Sequence, residues 1–413
     1  MVKGYKTHAE MIRGVVEELG SATPRAIIDL IKAKYPEIAV KVTSFRADII
    51  GCSMNHTSSH HYPGMPKFLF YERKKGTYRL YDPEKDGKWV VDDKGAHMVG
   101  GEPNEDIESE EIPTIVIDSE RGKKIAEFLY NSFSTVGVHG RTEMPEDITP
   151  NGVKRGSIEH ILFITLTVSI DYQRDAPALW ESSRKTFEDP ETRYLFNPRL
   201  LHETPFRKIV EDMQKYKLSK KPQKDANIWR TVSVTFYKKW EGDPRNFLKN
   251  CNWDSSLILK RLKNDTHLYN ERLVSDYPYL RGPKIGPLWL RMLRDNLGVT
   301  QLRNLEKVPI PVDVHVARAT LTTGVVRGSI EVRLDELFGY IRKAWFESVK
   351  GLSIKNRPMI ALDMDEPLWH LSKYGCTKRN EEGYCPVHTK CEAREYCIKG
   401  KIKLENNNVE LET

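Results

Sequence analysis

From about residue 121 to residue 375, apolar residues recur at helical spacing, in "GKKIAEFLYNSF", "SIEHILFITLTVSI", "FRKIVEDMQKY" and "GPLWLRMLRDNLG". Runs that alternate with a period of two are rare there. A chain written this way buries its apolar stripes helix against helix, so the large domain is expected to be α-helical. With 413 residues there is room for two or three domains and at least one large core. The longest apolar stretch, "ILFITLTVSI" (161–170), is too short to span a bilayer and carries hydroxyls. The first ten residues, "MVKGYKTHAE", hold no apolar signal region, and the expectation is an intracellular protein that does not enter membranes.

Residues 1–82 read as a separate small domain. "THAEMIRGVVEELG" has helical spacing and stops on Gly20. "SATPRAIIDLIKAKYP" follows with Thr23 as N-cap and Pro24 at the first helical position, and "KVTSFRADIIGCSMN" reads as a third helix. "KFLFYERKKGTYRLYD" then alternates like a hairpin turning near Lys75-Gly76. Three short helices and a hairpin are the order of a winged helix, in which the third helix enters the major groove and the hairpin is the wing. That places Thr43, Ser44 and Arg46 at the reading helix and Arg73, Lys74 and Lys75 at the wing tip; a protein-binding winged helix is the alternative. The region resembles the HARE-type winged-helix modules appended to restriction and chromatin proteins.

The formal charge of +7 is unevenly spread. Residues 101–120 hold eight acids and no base, while residues 1–81 carry a net +6. Residues 83–120 are polar, acidic and rich in Gly and Pro, and read as a linker, ordered in part by "TIVID". Two basic bodies joined by an acidic strap suit a polyanion, although an ordinary solvated surface has the same composition. The tail 401–413, "KIKLENNNVELET", reads as loose.

Within the helical part, "DYPYLRGPKIGPLWLRMLRDNLG" places Gly282 and Gly286 before an apolar-periodic helix. A helix, a tight turn and a second helix present backbone N–H groups to an anion such as a DNA phosphate; a plain turn between core helices is the commoner use. About thirty residues on comes "VPIPVDVHVARATLTTG", in which one acid, Asp313, sits among valines. A carboxylate in an apolar run is costly unless it is paired or used.

Together these segments resemble the helix–hairpin–helix DNA glycosylase superfamily, the group containing endonuclease III and the adenine-mismatch glycosylases. In that family the hairpin is followed by a V-D-x-H-V-x-R segment, matched here by Val312, Asp313, His315, Val316 and Arg318. "EHILFITLTVSIDYQRDAPALW" is similar to the family's early helix and its DNA-approaching loop, and "ALDMDEPLWHLSKYGC" to the helix leading into its cysteine cluster, so the likeness spans roughly residues 155–397. It implies a mainly α fold and excision of a flipped base, with Asp313 stabilising the positive charge that develops on the sugar. An N-cap is the alternative role for Asp313, and both can hold at once. Within "SIDYQRDA", the likeness implies Gln173 and Tyr172 as residues that fill the gap left by the base. Family members that also nick the strand carry a lysine two residues after the second glycine, where this chain has Leu288. The reading is therefore a monofunctional glycosylase, with Lys284 as nucleophile in the alternative.

Cys376, Cys385, Cys391 and Cys397 crowd into 22 residues in the pattern C-x8-C-x5-C-x5-C. In an intracellular chain that reads as a metal site before disulfides. Close C-x2-C knuckles, usual for zinc, are absent, and the family's iron–sulfur loop lies at this place in the chain, although only the last interval matches. The resemblance implies a [4Fe–4S] cluster, with structural zinc as alternative, shaping a basic loop of Lys378, Arg379, Lys390, Arg394 and Lys399. The domains expected are thus 1–82, a linker 83–120, 121–375, a four-cysteine loop 376–400 and the tail. The partner expected is double-stranded DNA with a modified or mismatched base, bound by a monomer. A non-catalytic DNA-binding regulator on the same fold is the remaining alternative.

Overall fold

Capping and helical spacing settle the first elements. Thr7 and Glu10 form a capping box at the start of α1 (His8–Leu19), which buries Met11, Ile12, Val15 and Val16. A short strand β1 (Ser21–Ala22) leads to α2 (Pro24–Lys34), capped by Thr23 with Pro24 in its first turn and burying Ile27, Ile28 and Ile31. Helix α3 (Val42–Gly51) adds Phe45 and Ile49 to the same core. Strands β2 (Leu69–Glu72) and β3 (Thr77–Leu80) form an antiparallel hairpin, and the sheet order is β1-β3-β2. Three helices followed by a hairpin is the element order read from the sequence.

The computed structural model describes residues 7–36, 42–56, 59–72, 75–92, 95–98, 115–405 and 408–413. Arg73 and Lys74, and the side chains of Thr43, Ser44 and Arg46, lie outside what is described. The segment read as a linker carries a helical turn α4 (Pro83–Asp86) and a second hairpin, β4 (Trp89–Asp92) with β5 (Gly95–Met98). The chain divides into two units, 1–110 and 111–413.

The second unit is mainly α-helical. After β6 (Ile115–Ile117) come α5 (Ser119–Thr135), α6 (Ile158–Val168), α7 (Ala176–Glu188), α8 (Pro198–Glu203), α9 (Phe206–Asp212), α10 (Pro222–Trp240), α11 (Pro244–Asn250) and α12 (Ser255–Asn264). A two-stranded ribbon, β7 (Thr266–Tyr269) and β8 (Arg272–Ser275), precedes α13 (Ile285–Asp295). Then follow α14 (Val314–Thr322), β9 (Val326–Arg333), α15 (Leu334–Ser348), the short pair β10 (Ser353–Ile354) and β11 (Arg357–Pro358), α16 (Asp365–Tyr374), β12 (Lys401–Glu405) and β13 (Asn408–Glu412).

Two cores share this unit. One gathers α6 to α13 around Trp180, Trp229 and Trp289, all fully buried. The other packs α5, α14, α15 and α16 around Trp345 and closes on an antiparallel sheet of order β12-β13-β9-β6. The tail is therefore not loose. Ile402, Val409 and Leu411 alternate inward onto this second core, and the period-two pattern of "KIKLE" and "NVELE" is the signal for it. Among the described residues no helix is long and apolar enough to cross a membrane.

Candidate active site

Asp313 sits at the start of α14, between buried residues of the second core. Val312 is buried, the backbone at Asp313 is extended, and the carboxylate caps the helix. Oδ1 accepts both N–H groups, from His315 at 2.8 Å and Val316 at 2.9 Å, and Oδ2 takes no hydrogen bond among the described residues. The cap therefore fixes the group while leaving one oxygen for chemistry.

The Gly-bearing turn faces it. The chain does not run helix, turn, helix as expected: the ribbon β7–β8 stands between α12 and the turn. Gly286 already lies in α13, where an added Cβ would fall 2.9 Å from both a Leu259 methyl and the Leu280 carbonyl, so only glycine lets α13 pass α12 so closely. Gly282 closes the turn by accepting the Gly286 N–H at 3.0 Å. Lys284 occupies the N-cap position of α13. Lys284 and Leu288 are one helical turn apart and line the same pocket.

The pocket encloses about 80 Å³ and is lined from α13, the start of α14 and α16. Its polar lining includes Asp171, Lys284, Asp313, His315, Asp365 and Lys373. Lys284 Nζ lies 3.4 Å from Asp171 Oδ2. Burial draws the Lys284 ammonium down, but Asp171, Asp313 and Asp365 outweigh it and hold the amine above the usual lysine range. Burial draws His315 down, Lys373, Arg318 and Lys284 add to this, and Asp313 opposes. His315 Nδ1 lies 3.3 Å from Ser372 Oγ.

Beneath the pocket Arg291 is fully buried among three carboxylates: Asp365 at 3.1 Å, Glu366 at 2.9 Å and, in closest contact, Glu146. One guanidinium cannot balance three buried anions. Burial, opposed by Arg291 and reinforced by neighbouring acids, pushes Asp365 up to about 7 and Glu366 up to about 8, and raises Glu146 as well.

The loop "SIDYQRDA" reaches the same pocket. Asp171, Arg174, Asp175 and Ala176 line it. Tyr172 stacks on Tyr279 at 4.4 Å, donates its hydroxyl hydrogen to Asp225, and lies under Lys224, whose Nζ is 4.9 Å from both rings. Gln173 is exposed with φ 51°; Lys220 Nζ donates to its carbonyl at 2.6 Å and Lys221 Nζ to its Oε1 at 3.1 Å. The structure thus brings Asp313, Lys284 and this loop together. Sequence reasoning missed Asp171, Asp365 and the Arg291 cluster. The signal for the two aspartates was the one used for Asp313, an acid set in apolar surroundings, in "SID" and "ALDMDEP".

The four cysteines are all free, Cys376 and Cys391 buried, Cys385 and Cys397 half-buried. Burial raises the Cys376 thiol, and Cys397, Cys391 and Cys385 add to the rise. Cys376 borders a cavity of about 130 Å³ together with Arg318, Thr322 and Arg379. Among the described residues no three His, Cys, Asp or Glu side chains are arranged to hold a metal ion. His388 is exposed. Arg318, on α14, feels both Cys376 and Asp313, so one helix spans from the pocket to the cysteines.

Residues 8–80 match the family described as "Domain of unknown function (DUF7669)". No curated protein matches the chain. Among solved structures, a non-covalent endonuclease III–DNA complex is similar over 68% of this chain and 96% of its own, with TM-score 0.41 and 13% identity. A trapped endonuclease III–DNA covalent intermediate, an estranged-adenine complex, is similar over 68% and 98%, with TM-score 0.39 and 13% identity.

Proposed function

We propose that the chain is a DNA glycosylase that takes a modified or mismatched base out of the duplex and hydrolyses its N-glycosidic bond. The observation that carries this reading is the Asp313 carboxylate, clamped through Oδ1 by two helix N–H groups with Oδ2 unbonded among the described residues, in a small pocket it shares with Lys284. As the base leaves, positive charge builds on the deoxyribose, and a fixed carboxylate in a water-poor site stabilises it without reorganising. Asp313 can also orient the attacking water. The V-D-x-H-V-x-R match supports the same role.

A second reading, a glycosylase that also nicks the strand, is favoured by Lys284, whose amine enters the same pocket one helical turn before Leu288. As an ammonium it must lose a proton before it can attack the sugar, and Asp313 and Asp171 are the nearby acceptors.

We further propose that the four cysteines hold a [4Fe–4S] cluster, zinc being the alternative. The reading rests on four free cysteines within 22 residues, Cys376, Cys385, Cys391 and Cys397, which would supply the ligands, with Arg318 and Arg379 to offset the charge. When bound, the group would brace the loop 376–397 against DNA. The first unit is proposed as a HARE-like winged-helix reader, using Ser44, Arg46 and Lys74. The whole is proposed as an intracellular monomer.

The test is a base-release panel. Duplexes carrying uracil, a thymine mismatch, hypoxanthine, oxidised guanine, alkylated bases or methylated cytosine are incubated with the protein, then run with and without alkali. Cleavage only after alkali supports the first reading and names the base. Cleavage without alkali, with an imine trapped by borohydride, supports the second. Tight binding with no base release on any duplex refutes both.

A further inference from the structure

The ribbon β7–β8 has no part in the pocket, yet it is built as a rigid projection with an apolar face. Asn270 and Glu271 at its turn have φ of 45° and 61°, the pair of positive values that a two-residue hairpin turn requires. Its root is anchored by Asp276, which is fully buried and takes Lys239 at 2.5 Å and His267 at 2.8 Å. Leu268 and Leu273 are cross-strand partners on one face, 69% and 74% exposed, and Tyr269, 63% exposed, pairs with Arg272 on the other. Exposed leucines placed side by side on an anchored ribbon are unusual unless something covers them.

The surrounding charge points to the occupant. Lys238 at the end of α10, Lys260 and Lys263 at the end of α12, and Arg272 on the ribbon are exposed, and none takes an ion pair with a described residue. They outnumber the neighbouring acids Glu241 and Glu271. Lys239 also reaches the Thr266 carbonyl at 3.4 Å, which holds the end of α10 against the ribbon's root. Three apolar side chains fall far short of the roughly 20–30 residues per side of a stable protein interface. Apolar side chains on a two-stranded ribbon, flanked by unpaired cations, match a nucleic-acid groove: the ribbon fits its width, the leucines pack on sugar and base faces, and the cations meet the flanking phosphates.

We infer that the β7–β8 ribbon enters a groove of duplex DNA beside the excision site, with Leu268 and Leu273 as the inserted contacts. This rests on the DNA reading above. It also ties the contact to the chemistry, because β8 continues through Asp276 and Tyr277 into the turn that carries Lys284.

The experiment uses the full chain, a duplex with a tetrahydrofuran abasic-site analogue, and fluorescence anisotropy over a salt series. Leu268→Ser with Leu273→Ser should weaken binding roughly tenfold or more while leaving the melting curve and the salt slope unchanged. Lys260→Ala with Lys263→Ala should instead reduce the salt slope by about 2. Wild-type binding to the duplex with an unaffected leucine variant overturns the inference alone. Failure of the wild type to bind any duplex removes the DNA reading and the inference with it. A concentration-dependent dimer in sedimentation, abolished by the leucine substitutions, also overturns it, because the face is then covered by a second copy.

Discussion

Replacing Asp313 by Asn separates its two roles. Both cap bonds end on Oδ1, and an Asn amide oxygen accepts the His315 and Val316 N–H groups as well as the carboxylate does. Asn and Asp are near-equal N-caps, and the lost charge at the α14 N-terminus is worth about 0.3–1 kcal/mol, so the folded state should weaken by no more than about 1 kcal/mol. The chemistry loses far more. Oδ2 becomes an amide nitrogen, the charge facing the sugar disappears, and base release should fall by roughly 10²–10³, or about 2.7–4 kcal/mol of transition-state stabilisation. Asp313→Ala should show the same loss of rate and a further loss of stability, on the order of 0.5–2 kcal/mol, from the missing cap. The assay is single-turnover base release on the duplex that responds in the panel, with urea denaturation of each variant alongside. Base release by Asp313→Asn within about threefold of wild type, with the fold intact, would refute the assignment, since no preorganised electrostatic group is that dispensable.

Other consequences follow from neighbouring residues. Asp365 and Glu366 hold protons in the folded state up to about 7 and about 8, against ordinary values of 3.8 and 4.5. Their contribution to stability is whole below about pH 4 and is lost as pH rises through 7 and 8. Urea denaturation should show stability declining over that range, and Glu366→Gln should flatten the decline; a flat wild-type profile contradicts the upward shift of the carboxylates around Arg291. Arg291→Met leaves three buried carboxylates without their cation and should cost roughly 3–5 kcal/mol near pH 8, measured the same way. Gly286→Ala forces α12 and α13 apart and should cost about 1–3 kcal/mol, with a matching drop in the denaturation midpoint. If Lys284 is a nucleophile, borohydride trapping should rise with pH, and Asp171→Asn, by removing the 3.4 Å partner, should shift that rise to lower pH; a pH-independent yield speaks against it. Cys376→Ser should abolish the broad visible absorbance expected of a bound iron–sulfur cluster in the wild type; absorbance retained in the variant would remove Cys376 from the ligand set.

The elements legible in the sequence were those whose signal is local. Thr23 and Pro24 mark a helix start because a cap bonds only to its own first turn, and the helices of the second unit follow from apolar spacing along a single element. The short strands β12 and β13 passed for a loose tail because each alternates for only five residues, and the pairing of β13 with β9 about eighty residues earlier is invisible along the chain. The ribbon was missed for a related reason, since Asn270-Glu271 turns without the Gly that usually advertises such a hairpin.

The pocket divides along the same line. By itself the sequence determined that Asp313 begins a helix inside an apolar run, that a glycine turn precedes it and that four cysteines cluster near the end, because each of these is a pattern within a few residues. Only the tertiary structure decided that Lys284 and Asp313 line one pocket, that Asp171 pairs with Lys284, and that Asp365 shares Arg291 with Glu146 from more than two hundred residues away. Those groups lie on five separate segments, and the electrostatics of a pocket depends on distances through space, which spacing along a chain does not record.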